Sequence, residues 1–210
     1  MAERTSGAHK IVTIPMLYGA IQRTISGPDA HQTVADRLFA SLEGKSVVEI
    51  GCGPGTWAPH LSHAREYTGI DRNGRHIALA HEKHGSNQVR FVCGDLADPA
   101  VLAKLDKCDA VIGMGILHHL DDPIARDVLA QVASILRPGG RYIGNEPVFH
   151  ARQHPVARLL KWMDSGKNIR SEEGYRTLFQ SSFSDLDTQV VTDLARLPYS
   201  HCMISAVVTC

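Results

Sequence analysis

Three carboxylates close three short apolar runs in this chain. Glu49 sits in Val47-Val48-Glu49-Ile50, Asp71 ends Tyr67-Thr68-Gly69-Ile70, and Asp95 follows Val89-Arg90-Phe91-Val92-Cys93-Gly94. The first run passes directly into Gly51-Cys52-Gly53-Pro54-Gly55. Glycines let a backbone turn tightly and let a ligand approach where a Cβ would intrude. An ordinary strand-to-helix turn accounts for a bare G-x-G-x-G, so its context decides. An acid about 20 residues beyond such a turn, at the tip of the second strand, is the usual partner of ribose hydroxyls in nucleotide-binding α/β folds. A dinucleotide site favours G-x-G-x-x-G, with a helix N-terminus aimed at a pyrophosphate. Here the third glycine is one residue early and Glu49 precedes the first, which opposes an anion and suits a cationic nucleotide.

The runs that carry these acids define the architecture. Ala110 to Met114 and Arg141 to Gly144 add a fourth and a fifth to the three above. Each is short and apolar, as strands buried on both faces of a parallel sheet are. Helical stretches separate them. The clearest is Pro123 to Leu136, with Ile124, Val128, Leu129, Val132, Ile135 and Leu136 on one face. Asp121 or Asp122 caps its start and Pro138-Gly139-Gly140 stops it. Pro15 to Leu42 reads as two helices, His154 to Met163 as a basic amphipathic helix with Arg158 and Lys161 on a solvated face, and Ser171 as the cap of a helix to Phe179. Leu186 to Thr192 and Met203 to Thr209 read as a final antiparallel pair. The expected fold is α/β: one doubly wound, Rossmann-like sheet of about seven strands, mostly parallel, with an antiparallel C-terminal edge strand.

At this point the chain resembles the class I S-adenosylmethionine-dependent methyltransferases, of the small bacterial, small-molecule type. The resemblance runs from about Lys45 to Glu146. Val47 to Thr56 matches the family's first motif, Thr68-Gly69-Ile70-Asp71 the second, and Phe91 to Leu96 the third. Asp109 to Leu120 matches the fourth, and Leu136 to Arg141 the turn before strand five. Any one is weak; five in register are specific. The resemblance implies S-adenosyl-L-methionine as cofactor, with Glu49 at its amino end and Gly51, Gly53 and Gly55 under its methionine moiety. Cys52 is a turn residue in that loop. Asp71 is expected on the ribose, Asp95 and the Leu96 backbone on the adenine, and Met114 at the reactive end. Tyr18, one turn from Gln22, is expected on a lid over the cofactor.

The acceptor side is less determined. His118-His119 follows the fourth strand, where a histidine near pKa 6.5 can take a proton from a hydroxyl, amine or carbon acid. Asn145, Tyr175 and Ser200 are candidate substrate contacts. The leading function is in-line methyl transfer to a small molecule. The alternatives are cyclisation of S-adenosylmethionine itself, as in azetidine-2-carboxylate synthases that release methylthioadenosine, and cofactor binding without catalysis. No metal site is expected: His60/His63 and His81/His84 are spaced for ligation but lack a third ligand.

Composition narrows the partners. Lys plus Arg and Asp plus Glu are both 22, so no basic surplus invites nucleic acid or an anionic membrane. No apolar run reaches the ~20 residues that span a bilayer. The five cysteines are scattered without a C-x-x-C, and the first residues lack a basic stretch ahead of an unbroken apolar core. These features predict a cytoplasmic, reduced protein, monomeric or homodimeric. The domain expectation is a single unit over 1–210, with a helical lid at 1–44, a cofactor core at 45–146, and acceptor-side helices plus the last strand pair at 147–210.

Overall fold

Alternation between apolar strands and one-faced helices sets the architecture of the computed structural model, which describes residues 30–151, 153–162, 166–194 and 199–208. Strand β1 (Ser46–Ile50) is buried along its whole length. It is followed by β2 (Glu66–Asp71), β3 (Val89–Cys93), β4 (Cys108–Met114) and β5 (Leu136–Phe149). These five pair with one another in parallel. A two-residue strand, β6 (Arg170–Ser171), pairs with the end of β5. Then come β7 (Phe183–Val191) and β8 (His201–Val208). The strand order is β3-β2-β1-β4-β5-β8-β7.

The antiparallel strand is β8, as expected from its place late in the sequence, but it is not the edge. It inserts between β5 and β7 and pairs antiparallel with both. Its register, Asn145 opposite Met203 and Val190 opposite Cys202, buries Cys202, Ile204 and Ala206 in the sheet. That apolar run cannot be left on an open edge, whereas β7 alternates and tolerates one.

Helices cover both faces. Val48, Ile50, Ile70 and Val111 pack against α4 (Asp122–Ile135) and α6 (Glu172–Phe179). Val47, Tyr67, Ala110 and Ile112 pack with Phe39, Leu42 and Ala80, from the segment after α1 (Ala30–Leu38) and from α2 (Gly74–His84). A short α3 (Pro99–Ala103) leads into β4. The α4 start is capped by Asp121, whose carboxylate accepts from the Ile124 amide at 3.1 Å, and Ser171 caps α6 on Gly174. Of the two expected N-terminal helices, the described part is α1; Tyr18 and Gln22 lie outside the described residues. In α5 (Pro155–Trp162), Arg158 is exposed, but Lys161 is 2% exposed, which corrects its assignment to a solvated face.

Candidate functional site

From β1 the chain winds outward to β2 and β3, then returns to β4 on the other side of β1. The carboxyl ends of β1 and β4 therefore flank the point where the winding reverses, the usual ligand crevice of such sheets. Two glycine turns meet there. Gly51, Gly53 and Gly55 have φ of 70°, 52° and 80°, and Gly115 after β4 has 70°. All four lie in the left-handed region that side chains avoid. A Cβ on Gly51 would stand 2.6 Å from Ile116 Cδ1, so this glycine lets the two turns touch. A Cβ on Gly53 would meet nothing within 4 Å, which leaves its surface open.

Asp71 is tied to this loop. Its carboxylate accepts from the Gly53 amide at 2.9 Å and from the Asn73 amide at 2.8 Å, and its side chain stays 15% exposed. Glu49 behaves differently. Strand alternation turns it inward beside Tyr67, whose hydroxyl donates to it, and it is 1% exposed. Burial pushes its carboxyl up to about 8, against the opposing pull of the Tyr67 hydrogen bond. Cys52 is 3% exposed, with its thiol pushed far up by burial, so it is a packed turn residue and not a nucleophile. Asp95 is exposed and accepts from the Ala97 amide at 3.0 Å; the Leu96 side chain is core. Met114 is half-buried against Trp57, Val34 and Met203.

The loop after β4 is organised by a carboxylate of β5. Glu146 in β5 is fully buried. One carboxylate oxygen accepts from the Ile116 and Leu117 amides at 2.9 and 2.8 Å. The other accepts from the His118 amide at 3.3 Å and pairs with His118 Nδ1 at 2.7 Å. A carboxylate can only accept, so the hydrogen on this last bond sits on Nδ1. His118 is 6% exposed; the half-buried His119 ring lies 4.1 Å away. Gly166 closes over His118, since a Cβ there would stand 2.0 Å from its Cδ2 and 2.9 Å from its Nε2. A signal for Glu146 existed: it is the one acid of β5 and is followed by the apolar Pro147-Val148, and an acid buried there requires donors.

The three tentative substrate residues separate. Asn145 lies in register with Met114 and Met203, and its side-chain oxygen is buried without a partner. Tyr175 is fully buried and its hydroxyl donates to the Pro147 carbonyl at 2.9 Å, so the expectation of a crevice contact is corrected: it is core. Ser200 is 3% exposed and pairs with His150 at 2.9 Å, away from the glycine turns.

Comparison with known proteins agrees with this geometry. Residues 47–140 match the family described as methyltransferase domain. The chain is similar to a fatty-acid O-methyltransferase of Mycolicibacterium smegmatis, 37% identical over 54% of this chain and 40% of that protein. It is also similar to a phthiotriol/phenolphthiotriol dimycocerosates methyltransferase of Mycobacterium leprae, 34% identical over 63% of this chain and 47% of that protein. The chain thus spans less than half the length of these relatives. Among solved structures, magnesium protoporphyrin IX methyltransferase from Synechocystis, with bound SAH, aligns at a TM-score of 0.65 over 99% of this chain and 90% of that one, with 21% identity. The [4+2]-cyclase SpnF aligns at 0.66 over 84% of this chain and 79% of that one, with 19% identity. No helix among the described residues is long and apolar enough to cross a membrane.

Proposed function

We propose that this chain is a methyltransferase that binds S-adenosylmethionine across the ends of β1, β2 and β4 and methylates a small-molecule acceptor. The observation that carries the reading is the meeting of two left-handed glycine turns at the β1/β4 switch, with the Asp71 carboxylate fixed beside them by the Gly53 amide. The residues fit the cofactor. Ribose hydroxyls and an ammonium are donors that require acceptors, and the crevice offers the Asp71 carboxylate for the first and the unpartnered oxygen of Asn145 for the second. When bound, the cofactor supplies an electrophilic methyl group on sulfur.

The chain's own residues then have defined tasks. Asp71 accepts from the ribose hydroxyls, and Gly53 leaves the loop open for close approach. Met114 and Gly115 line the reactive end. His118, its tautomer set by Glu146, is the group that takes a proton from the acceptor, with His119 beside it. Such a displacement rests mainly on positioning and exclusion of water, so no further triad is required. Calorimetry with S-adenosylhomocysteine tests the reading: affinity in the micromolar range, about −8 kcal/mol, is expected. Absence of binding at millimolar ligand refutes it. Products after incubation with S-adenosylmethionine alone separate this reading from cyclisation, which releases methylthioadenosine.

A further inference from the structure

Past the carboxyl end of β5, Lys161 and Gln153 bury side-chain donors. The Lys161 ammonium donates to the Val148 carbonyl. It also lies 5.0 Å from the Tyr199 ring centroid and 5.7 Å from that of Phe149. Among the described residues no carboxylate stands within ion-pair distance of it, and burial alone lowers its proton affinity, to about 8. An ammonium has three N–H donors; the Val148 carbonyl is its one oxygen acceptor here, and the two ring faces are weaker partners than an oxyanion. Gln153 adds a second donor. It is 9% exposed and its side-chain oxygen accepts from the His150 amide at 3.3 Å, but its side-chain nitrogen has no partner. The His150–Ser200 pair, and the Val148 amide bonded to the Ser200 carbonyl at 3.2 Å, hold these elements together.

A buried cation that meets no counter-charge among the described residues is costly, and an anion offsets that cost. A cationic partner meets like charge, and a neutral one leaves the ammonium uncompensated. A dianion exceeds what one lysine neutralises. A mono-anionic oxygen group matches, and the rings beside it suit an apolar body: Tyr199 is buried, while Phe149 is 37% exposed and gives the cage a solvent-facing wall.

We propose that Lys161 and Gln153 form an oxyanion-binding subsite on the acceptor side, which takes the carboxylate or phenolate of an acceptor with an apolar or aromatic body. This rests on the methyltransferase reading for the word acceptor, but the subsite itself is measurable without turnover. The full chain is titrated with octanoate and with 4-nitrophenolate, and with octanamide and 4-nitroanisole as their uncharged counterparts. Binding of at least one anion about tenfold or more tighter than its counterpart is expected, with the preference lost in Lys161→Met. The pair that shows it tells carboxylate from phenolate. No preference in the wild type, or a preference kept in Lys161→Met, overturns the proposal. Should Lys161→Met fail to fold, the lysine Nζ signal of the wild type followed by NMR decides: an unmoved Lys161 resonance at saturating octanoate and 4-nitrophenolate overturns it. S-adenosylhomocysteine binding is measured separately, so its failure would refute the methyltransferase reading and leave the anion titrations standing.

Discussion

Replacing Glu146 by Gln removes one carboxylate oxygen from the centre of the β4 loop. In the wild type the two oxygens take four donors: the amides of Ile116, Leu117 and His118, and His118 Nδ1–H. Glutamine keeps one acceptor for two of them. Its NH2 then faces two donors where a charge-assisted bond of 2.7 Å had been. Breaking a buried charged contact in this way costs about 3–5 kcal/mol. Small domains hold roughly 5–15 kcal/mol in all, so the loss is a large share. With a urea slope of about 2 kcal/mol/M, the midpoint falls by about 1.5 M or more. Urea unfolding followed by circular dichroism at pH 7 measures it. A double-mutant cycle with His118→Asn is expected to give a coupling of about 1–3 kcal/mol. A Gln variant within about 1 kcal/mol of the wild type, or a coupling near zero, would show that Glu146 does not hold His118, and the tautomer argument would fall with it.

Asp71→Ala should weaken S-adenosylhomocysteine binding by about 1.5–3 kcal/mol, because ligand hydroxyls lose a charged acceptor; an unchanged Kd in a folded variant contradicts the ribose role. Glu49 holds its proton to about 8 in the fold, against an ordinary 4.5. Relative to Glu49→Gln, wild-type stability is therefore greatest in acid and falls as pH rises from about 4.5 to about 8. Parallel stability profiles of the two proteins between pH 5 and pH 8 would disprove that protonation. Gly166→Ala places a Cβ 2.0 Å from His118 Cδ2, so a loss of about 1–3 kcal/mol in urea unfolding is expected; a neutral outcome means that the 166–168 segment does not pack on the ring.

The sheet was legible where local chemistry and tertiary packing ask for the same residues. β1 to β4 appear as short apolar runs, and Asp121 and Ser171 act as caps because each stands three residues before the amide it accepts from. The glycine turn and Asp71 were legible for the same reason, since backbone need and spacing both show in one stretch. What stayed hidden depends on partners distant in sequence. Glu146 draws its donors from a loop 28 to 30 residues earlier. Tyr175 looks like an accessible phenol until its hydroxyl is found on Pro147, 28 residues away. Lys161 lies on a helix whose basic residues suggest a solvated face, and only the fold places aromatic rings over it. Burial of a polar group is a property of what covers it, and no single segment states that.

The position of β8 bears on how the chain is made. Among the described strands β7 has β8 alone as a neighbour, and β5 needs β8 along Arg141–Pro147. On the ribosome, residues 136–191 emerge before 201–208. The nascent chain then carries three unpaired strand edges at once, one on β5 and both sides of β7, with the apolar Val148 and Phe183 nearby. Such edges are templates for pairing with other chains while synthesis proceeds at roughly 5–20 residues per second. One eight-residue strand, the latest of the described elements, closes two of these edges in a single step. Its arrival divides an aggregation-prone intermediate from the finished sheet, so slow translation or mutation within 201–208 should reduce soluble yield more than equal changes in β3.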